Sequence, residues 1–443
     1  MQKELDHCAR QLGKLKIKEY EIYGTTRRSM LIQSRDFKTD SMIQSEDVGI
    51  AVRVLSKGRM GFSFTTSLDK QALESAVKTA IQTAVLMPVD KYQGLFSGDK
   101  TKLTPLLPID TKGIGVSADK KTALAKELEK RVRSADKRVK AVRSAAFKQT
   151  ETQTWLVRPK MKPVQDRSAV FSLSVACKAD QGSESQMGYD FRFSRKYDAL
   201  DLDAVAQQAA LNATEHLGAT RPKSIKTAAI LRNNVVSELL EFLSASFSAE
   251  ELDKGRSLLI GKNGQAVFSP LLTLTDDGIR ADGLGSSRFD GEGVPSRINT
   301  LIENGVFRTT LTNIYYAQKM GLPLTASAVR SIKSPPTIGF SNLVLKPGKE
   351  SLEALVKKVH RGVIITDLMG LHTANPVTGD FSLGASAIMI ENGKLGGPLR
   401  EFAVSGNILT LLSRCEAVGS DFRFFGTVGT PSLVVPEITL SGA

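Results

Sequence analysis

Three Asn-Gly dipeptides in the second half of the chain constrain its fold more than any other feature. Each separates two strand-like runs, and they are Asn263-Gly264, Asn304-Gly305 and Asn392-Gly393. Asn-Gly is the dipeptide that most easily adopts the two positive φ angles of a type I′ hairpin turn. Three such hairpins predict a largely antiparallel β domain over residues 225–443. Two helical stretches interrupt it, over residues 234–247 and 351–360.

The N-terminal part of the chain mixes helices and strands. Apolar runs on both sides of Lys57-Gly58 predict a β-hairpin over residues 48–64. Asp69 is placed to cap a helix that Pro88 ends. The apolar side chains of this helix recur every four residues and are Leu73, Val77, Ile81 and Val85. This stripe predicts that the helix packs one face against the core.

A second unit follows a linker rich in Gly, Pro and Lys at residues 89–116. Ser117 is placed to cap a helix, and a later helix over residues 203–217 reaches Gly218, which suits a left-handed cap. Alternating runs between these helices predict antiparallel strands at residues 138–147, 153–157 and 169–177.

The sequence therefore predicts an α+β protein, in which a mixed α/β N-terminal region is followed by a largely antiparallel β C-terminal domain. The expected units are an N-terminal α/β subdomain at residues 1–100, a central α/β subdomain at 101–224 and a C-terminal antiparallel β-rich domain at 225–443.

The chain carries a net charge of +14, and much of it falls in the central subdomain. The basic residues there form a cluster of Lys130, Arg131, Arg133, Lys137, Arg138, Lys140 and Arg143. A cluster of this kind favours an acidic partner such as nucleic acid. A solvated helix face explains it equally well, because no base-stacking aromatic side chain interrupts it. We therefore expect no nucleic-acid binding, and keep it as an alternative.

The cysteines Cys8, Cys177 and Cys415 lie far apart and form no Cys-x-x-Cys pair. This spacing predicts neither a disulfide framework nor a cysteine-rich metal site. The N-terminal segment lacks the apolar run of a signal peptide, and no uninterrupted apolar stretch approaches the ~18 residues of a membrane span. We expect a soluble cytoplasmic protein without membrane contact.

Metal-ligating residues are sparse in this sequence. The histidines are His7, His216, His360 and His372, and none lies near another along the chain. A peptidase zinc needs about three protein ligands and a further position open for water. The sequence therefore predicts no metal ligand and no catalytic residue in this chain.

Residues 375–393 combine small residues, a carboxylate and a hairpin turn in the order Asn-Pro-Val-Thr-Gly-Asp-Phe-Ser-Leu-Gly-Ala-Ser-Ala-Ile-Met-Ile-Glu-Asn-Gly. This segment resembles the C-terminal domain of the TldD/PmbA family of two-subunit bacterial zinc peptidases, whose PmbA member is also called TldE. Further segments follow the family's order and lie at residues 49–64, 188–191, 288–296, 301–306 and 315–321. The resemblance covers the chain from about residue 21 to residue 442.

The resemblance has consequences for the metal. TldD subunits of this family carry zinc on a His-Glu-x-x-x-His helix. The stretch that resembles this helix, residues 235–247, has mostly Leu, Phe and Ser, with Glu238 and Glu241 as unpaired carboxylates. The family's cysteine ligand would fall within residues 423–430, where no cysteine occurs. The resemblance therefore implies the PmbA/TldE-like subunit, with no cofactor of its own and with zinc in the partner.

The resemblance also implies a TldD-like partner subunit, or a homodimer in its absence, around a chamber in which unfolded peptides are cut. An antiparallel sheet with an open edge would pair its main chain with such a peptide. The candidates for the substrate cleft lie in loops and strands rich in small residues and are Asp290, Glu292, Gly293, Asp380 and Gly384. The carboxylates among them are equally suited to capping turns.

The leading prediction is a non-catalytic subunit that helps to position unfolded peptides for proteolysis or peptide maturation. Two alternatives stay open. The family is also described as a modulator of DNA gyrase, which would make the chain a regulator that binds gyrase or nucleic acid through residues 130–143. The other alternative is an independent homodimeric peptidase, with a metal held by Glu238, Glu241 and a distant histidine.

Overall fold

The computed structural model of the chain describes residues 1–98, 103, 105, 107–159 and 161–442. Within these residues, the helices are α1 (Gln2–Lys14), α2 (Lys70–Leu86), α3 (Thr111–Ile114), α4 (Ala118–Ala135), α5 (Leu202–Thr214), α6 (Asn233–Ser244), α7 (Ala249–Asp253), α8 (Ile314–Met320), α9 (Leu352–Val359) and α10 (Ile408–Ser413). Short 3₁₀ turns in the same residues lie at Tyr197–Ala199, Ala245–Phe247 and Leu371–Thr373.

The strands of the N-terminal half are β1 (Tyr20–Arg35), β2 (Lys38–Ser56), β3 (Arg59–Thr65), β4 (Val139–Val157), β5 (Val164–Gln181) and β6 (Glu184–Ser194). Those of the C-terminal half are β7 (Ile225–Leu231), β8 (Leu274–Asp277), β9 (Ile298–Glu303), β10 (Val306–Phe307), β11 (Ala328–Val329), β12 (Thr337–Ile338), β13 (Leu343–Leu345), β14 (Gly362–Met369), β15 (Asp380–Glu391), β16 (Lys394–Asn407), β17 (Ala417–Val418), β18 (Arg423–Phe425), β19 (Val428–Thr430) and β20 (Leu433–Ser441).

The N-terminal half folds around one antiparallel sheet, whose order among the described strands is β3-β2-β1-β4-β5-β6. The strands of the first unit join those of the central unit through the pairing of β1 with β4, which runs from Ile22 opposite Val157 to Ser34 opposite Ala145. α1 and α2 pack against β1 and β2, whereas α4 and α5 pack against β4 and β5. The two N-terminal units therefore share one continuous sheet.

The predicted N-terminal hairpin and the helix that follows it are both present. β2 and β3 form the hairpin, and Lys57 and Gly58 make its turn with φ angles of 51° and 73°. Asp69 caps α2 by accepting the Ala72 N–H at 2.8 Å. The predicted core face is wrong at its end, where Val85 is 64% exposed. Each step of four residues overshoots a full helical turn by about 40°, so the stripe rotates away from the core.

The central unit has longer strands than predicted. The runs at residues 138–147 and 153–157 belong to one strand, β4, which pairs with β1 on one side and with β5 on the other. The polar residues between the two runs stay extended because both neighbours pair with them, and such tertiary support outweighs local strand preference. α5 ends at Thr214, and Gly218 follows in the next turn with a φ of 77°.

The C-terminal domain contains two larger sheets, and its apolar core draws residues from both. The order of one is β10-β9-β8-β13-β19-β18. The order of the other is β16-β15-β14-β7-β20-β17, and a further pairing of β16 with β20 closes it. Most pairs are antiparallel, whereas β7 with β14 and β13 with β19 are parallel. The mixture of helices and largely antiparallel strands confirms the predicted α+β fold class.

Two of the Asn-Gly dipeptides form the predicted hairpin turns. Asn304 and Gly305 join β9 to β10 with φ angles of 46° and 83°, and Asn392 and Gly393 join β15 to β16 with 52° and 70°. The prediction for residues 263–264 is wrong. This dipeptide lies in the segment between α7 and β8, and its asparagine lacks the positive φ that a type I′ turn requires.

Short helices add to the two predicted in the C-terminal domain. α6 and α9 match the predicted stretches, but α7, α8 and α10 are also present with lengths of 5, 7 and 6 residues. Helices this short show too little apolar periodicity to be recognised from sequence. In the part of the chain that the structure describes, no helix is both long and apolar enough to cross a membrane.

Candidate functional site

Helix α6 begins directly after β7, which pairs in parallel with β14. The buried apolar residues of the helix recur at helical spacing and are Val235, Val236, Leu239, Leu240 and Leu243. They pack into the core of the C-terminal domain. This packing fixes the polar first turn of α6 at the ends of two parallel strands.

Asn233 joins the first turn of α6 to the C-terminal segment. Its Nδ2 donates to the Asp421 carbonyl oxygen at 2.8 Å, and its own carbonyl oxygen accepts the Thr430 hydroxyl at 2.7 Å. Thr430 lies on β19 and is fully buried. Residues 423–430, in which the resemblance places the family's cysteine ligand, therefore lie against α6. At this contact the chain presents a hydroxyl group.

Asn234 faces β14. Its Nδ2 donates to the Thr366 carbonyl oxygen at 2.9 Å, and the Thr366 hydroxyl lies 2.9 Å from His216 Nε2. Burial lowers the pKa of His216 below its ordinary value, although Glu215 opposes this shift. Asn234 Oδ1 is buried and has no hydrogen-bond partner among the described residues. Such an acceptor is suited to receive a water or an N–H group.

Glu238 lies one turn further along α6. Burial raises its pKa to about 7, and the negative charges of Asp367 and Glu241 add to this effect. Asp367, near the end of β14, is partly exposed to solvent. Burial of the rest of its side chain raises its pKa as well. Glu241 is exposed. At neutral pH, Glu238 is therefore divided between its protonated and ionised forms.

The donor atoms of this region do not fit zinc. Asn233, Asn234 and Glu238 have the spacing of a His-Glu-x-x-x-His motif, but they present two amides and one carboxylate. Peptidase zinc is bound by His nitrogen, Cys sulfur and carboxylate oxygen. Across the residues that the structure describes, no group of three His, Cys, Asp or Glu side chains is arranged to hold a metal ion. We refer to Asn233, Asn234, Glu238 and Thr430 as the α6 site.

Asp290, Glu292 and Gly293 lie in the interior, between the N-terminal sheet and the C-terminal domain. The Asp290 carboxylate accepts the N–H groups of Glu292 and Val294, each at 2.9 Å, and Glu292 Oε2 accepts the Ile314 N–H at 2.8 Å. Asp290 is 9% exposed and Glu292 is 2% exposed. Burial and the charge of Glu292 raise the pKa of Asp290 to about 7 against these hydrogen bonds. Asp290 therefore caps its own turn and Glu292 caps the start of α8, and both lie away from the surface.

Five buried charges join the two halves of the molecule and are called here the interface cluster. Glu21 lies among Arg53, Arg158 and Arg330, and Arg53 also contacts Glu292. Arg53 Nη1 is 3.3 Å from Glu21 Oε1 and 3.3 Å from Glu292 Oε1. Burial opposes the ionisation of Glu21, but the surrounding arginines hold its pKa below its ordinary value. Burial raises the pKa of Glu292 despite the nearby Arg53.

The other two cleft candidates lie on β15. Asp380 is exposed and accepts Asn407 Nδ2 at 2.9 Å, which is the main reason that its pKa is lowered. Gly384 lies opposite Met369 of β14, two positions from Asp367. Gly384 is therefore the cleft candidate that lies on the strand beside the α6 site. The five cleft candidates do not come together in one site.

Comparisons with known proteins cover most of the chain. Residues 20–84 match the PmbA/TldA metallopeptidase domain 1, residues 112–217 match the central domain, and residues 224–442 match the C-terminal domain. The chain belongs to the PmbA/TldA metallopeptidase family. This membership confirms the resemblance carried by residues 375–393.

Relatives with full-length similarity support the same family. The metalloprotease PmbA homolog of Haemophilus influenzae is 25% identical over 433 residues, which cover 95% of this chain and 92% of that protein. A protein of Thermotoga maritima, described as a candidate modulator of a DNA gyrase, has a crystal structure with a TM-score of 0.91, 26% identity, and coverage of 99% of this chain and 100% of its own. TldE from Thermococcus kodakarensis shares the fold, with a TM-score of 0.89, 24% identity, and coverage of 99% and 100%.

Besides Thr430, three residues of this region in the PmbA/TldA chain were not among the predicted site residues. Asn233 and Asn234 directly precede the stretch that resembles the metal helix, and Asp367 comes from a strand far away in sequence. The asparagines could have been found by counting back from Glu238 with the His-Glu-x-x-x-His spacing. No local signal points to Asp367, because the fold alone brings β14 beside α6.

The basic cluster in the central domain of this family member is partly neutralised. Arg131, Arg133 and Arg138 each form an ion pair with a nearby carboxylate. Non-specific nucleic-acid binding relies on cations that are available to neutralise phosphates. The cluster therefore offers less free positive charge than its composition indicates.

Proposed function

We propose that this chain is the non-catalytic, metal-free subunit of a two-subunit zinc metallopeptidase of the TldD/TldE type. A TldD-like partner would hold the zinc and cut the peptide bond. This chain would complete the enclosure around the substrate and help to position unfolded peptides for proteolysis or peptide maturation. Without the partner, the chain would form a homodimer.

The observation that carries this proposal is the donor set of the α6 site. Helix α6 resembles the family's metal helix, and β19 lies against it, yet the side chains placed there are the Asn233 amide and the Thr430 hydroxyl, which donates to the Asn233 backbone carbonyl oxygen. Neither group is among the usual ligands of peptidase zinc. Family membership supports a peptidase setting, and this donor set favours the subunit that does not bind the metal.

Peptide positioning by this chain would use an open strand edge. The sheet that contains β14 is closed by the pairing of β16 with β20, so the open edge expected from the sequence is reduced there. β18 is one of the two terminal strands of the other C-terminal sheet in the described part of the chain. Main-chain pairing along such an edge would hold an extended peptide largely irrespective of its side chains.

Co-expression with a TldD-like subunit that contains a His-Glu-x-x-x-His helix tests the proposal. We expect a stable heterodimer in size-exclusion chromatography with light scattering, and zinc that copurifies with the partner. The complex should cleave an unfolded peptide faster than either chain alone. Changing the motif glutamate of the partner to glutamine should abolish cleavage without disrupting assembly. Near-stoichiometric zinc on this chain alone, together with cleavage by it alone, would instead establish an independent peptidase.

A regulator of DNA gyrase is the second candidate, favoured by the description of the Thermotoga maritima relative. It would use the basic residues at 130–143, and its binding to DNA should weaken steeply as salt is added. Binding at low ionic strength that is lost when Lys130, Lys137 and Lys140 are changed to alanine would support this function. Absence of binding to both DNA and gyrase under those conditions would remove it.

A further inference from the structure

A cavity of about 590 Å³ lies between the N-terminal sheet and the C-terminal domain. One wall is formed by the end of β6 and the turn after it, and the other by β18 and by residues 280–282. β6 and β18 each lie at one end of their sheet in the described part of the chain. The volume falls within the range of roughly 300–1,000 Å³ that is usual for ligand pockets.

The lining of this cavity has an excess of positive charge. Its cationic side chains are Arg192, Arg195, Lys196, Arg280 and Arg423. Asp282 lines the cavity and pairs with Arg280 at 2.7 Å. Asp190, which lies behind the wall, is 2.6 Å from Arg423 and 3.9 Å from Arg192. The lining itself therefore has five cations and one carboxylate, and Asp190, Asp201 and Asp166 act on Arg192 or Arg195 from outside it.

Two of the guanidinium groups have unused donors. Arg192 Nε and Arg423 Nε are buried, and neither has a hydrogen-bond partner among the residues that the structure describes. Burial and the charge of Arg423 lower the pKa of Arg192, so the two cations repel each other, although Asp190 and Asp201 partly offset this effect. Buried N–H groups without acceptors are unfavourable. These two Nε–H groups have almost no accessible surface, so an anion in the cavity would act through the charge of the guanidinium groups and would offset their repulsion.

The aromatic walls favour a compact anion over a nucleotide. Arg280 lies over the rings of Phe422 and Phe424, at 5.7 and 5.1 Å from their centroids. Phe424 also packs against Phe422 and Phe193, with centroid distances of 5.2 and 6.4 Å. The ring faces are therefore occupied by Arg280 and by one another, which leaves little face on which a base could stack.

We propose that this cavity binds the carboxylate of an extended peptide, supplied by its C terminus or by an Asp or Glu side chain. Arginine suits this ligand because its planar guanidinium group offers paired N–H donors to a carboxylate. The peptide would lie between the two strand edges, where Arg192 and Arg280 reach it from opposite walls.

The cavity is connected to the α6 site through two contacts. Arg423 lies opposite Thr430 in the pairing of β18 with β19, and Thr430 binds the carbonyl oxygen of Asn233. A peptide held by its carboxylate would therefore extend along β18 toward α6. The assignment of this peptide as a substrate rests on the proposed function, whereas the binding itself does not.

Fluorescence anisotropy with the purified full chain tests this binding. The probes are N-terminally labelled, unstructured peptides of one sequence, with a free or an amidated C terminus and with Glu or Gln at one internal position. We expect about tenfold tighter binding when the carboxylate that the cavity uses is present, because a charge-assisted hydrogen bond contributes about that much. Comparison of these peptides shows whether the C terminus or the internal Glu supplies the carboxylate.

Variants of the wall arginines give the second arm of the experiment. Arg192→Gln with Arg280→Gln should weaken binding of the preferred peptide about tenfold or more. Arg308→Gln is the matched control, because Arg308 is ion-paired with the exposed Glu303 and does not line the cavity. It should bind as the parent does. If the double variant does not fold, Arg280→Lys, which keeps the charge and loses the paired donors, should give a smaller loss.

Several results would overturn the inference. Equal affinity for all the peptides would do so, as would unchanged binding by the folded arginine variants. Displacement of the peptide by ATP at a lower concentration than by the unlabelled carboxylate peptide would identify a nucleotide site. Peptide binding with the expected preference, but no cleavage by the assembled complex, would support the cavity and count against the proposed function. Cleavage by the complex without any carboxylate preference would support the proposed function and count against peptide binding in the cavity.

Discussion

The Thr430 hydroxyl donates a hydrogen bond of 2.7 Å to the backbone carbonyl oxygen of Asn233. This contact joins the segment in which the family's cysteine ligand is expected to the helix that resembles its metal helix. The two elements therefore meet in this chain, but through a hydroxyl group and a backbone carbonyl oxygen. Because Thr430 lies opposite Arg423, the same hairpin connects the α6 site to the basic cavity.

Replacing both Glu238 and Glu241 with glutamine should leave the peptidase rate of the complex within a few-fold of the parent. The reason is that neither carboxylate would transfer a proton or hold a metal in a non-catalytic subunit. A proton-transfer group typically contributes a factor of about a hundred or more. The measurement is turnover of an unfolded peptide by the purified complex, with assembly checked by size-exclusion chromatography. A hundredfold fall in a fully assembled complex would contradict the non-catalytic role.

The same glutamate should make stability depend on pH. Burial and neighbouring carboxylates raise the pKa of Glu238 from 4.5 to about 7, so the folded state keeps this proton to a higher pH than the unfolded state. Stability should then fall as the pH rises from about 4.5 past 7, by up to about 3 kcal/mol. Glu238→Gln removes this dependence. The variant should match the parent near pH 5 and exceed it near pH 8.

Thermal unfolding of the parent and of Glu238→Gln at these two pH values provides the measurement. Glu241→Gln is a suitable control, because Glu241 is exposed on the same helix. A melting-temperature difference between Glu238→Gln and the parent that is the same at both pH values would show that the carboxylate is not perturbed.

Local sequence patterns predicted the turns of this fold better than the strand pairing that closes one of its sheets. Asn304-Gly305 lies between residues that already alternate as strands, so the turn and its flanks indicate the same hairpin. The dipeptide at residues 263–264 also lies between strand-like runs, but those runs form no strands in the structure, so no hairpin results. The pairing of β16 with β20 involves Ser405 opposite Thr439, and no local pattern indicates which strands meet at the seam of a closed sheet.

No local sequence pattern indicates the burial of the predicted cleft carboxylates Asp290 and Glu292. Glu292 follows a glycine and precedes another, which is typical of an exposed loop. Its ionic partner Arg53 is 239 positions away, and Arg330 is 309 positions from Glu21. Charges that find partners at such separations are paired by the tertiary fold, so the sequence around each one resembles that of a surface residue.

Glu21→Gln should strongly destabilise the protein. The substitution removes the negative charge from a fully buried position and leaves Arg53, Arg158 and Arg330 facing a neutral amide. Breaking a buried ion pair in this way typically costs about 3–5 kcal/mol. The control is Glu46→Gln on the same sheet, because Glu46 is 49% exposed in its ion pair with Arg28 and should change stability little.

The stability lost in Glu21→Gln should be smaller at acidic pH than at neutral pH. The pKa of Glu21 is lowered in the folded state, so its contribution is present above its unfolded pKa and is lost as the pH falls through the lower folded value. The stability difference between the parent and Glu21→Gln should therefore shrink in acid. Urea unfolding followed by circular dichroism at neutral and acidic pH measures this difference, and a gap that widens in acid would contradict the assigned charge state.

Gly293→Ala and Gly264→Ala form a matched pair that isolates the packing of the interface cluster. Both glycines have a φ of 77°, a conformation that costs a residue with a Cβ about 1–2 kcal/mol. A Cβ at Gly264 would meet no atom within 4 Å, whereas one at Gly293 would lie 1.7 Å from Arg158 Nη2 and 2.4 Å from Leu156 Cδ2. Arg158 cannot move away freely, because it is buried and donates to the Phe96 carbonyl oxygen at 2.7 Å.

Gly264→Ala should therefore lower stability only by the cost of its backbone conformation. Gly293→Ala should lower it by roughly 3 kcal/mol more, since displacing Arg158 breaks its contact with buried Glu21. Differential scanning calorimetry of both variants beside the parent measures the two losses under identical conditions. Equal losses would mean that Arg158 is accommodated elsewhere and that the interface cluster does not depend on close packing against the backbone at Gly293.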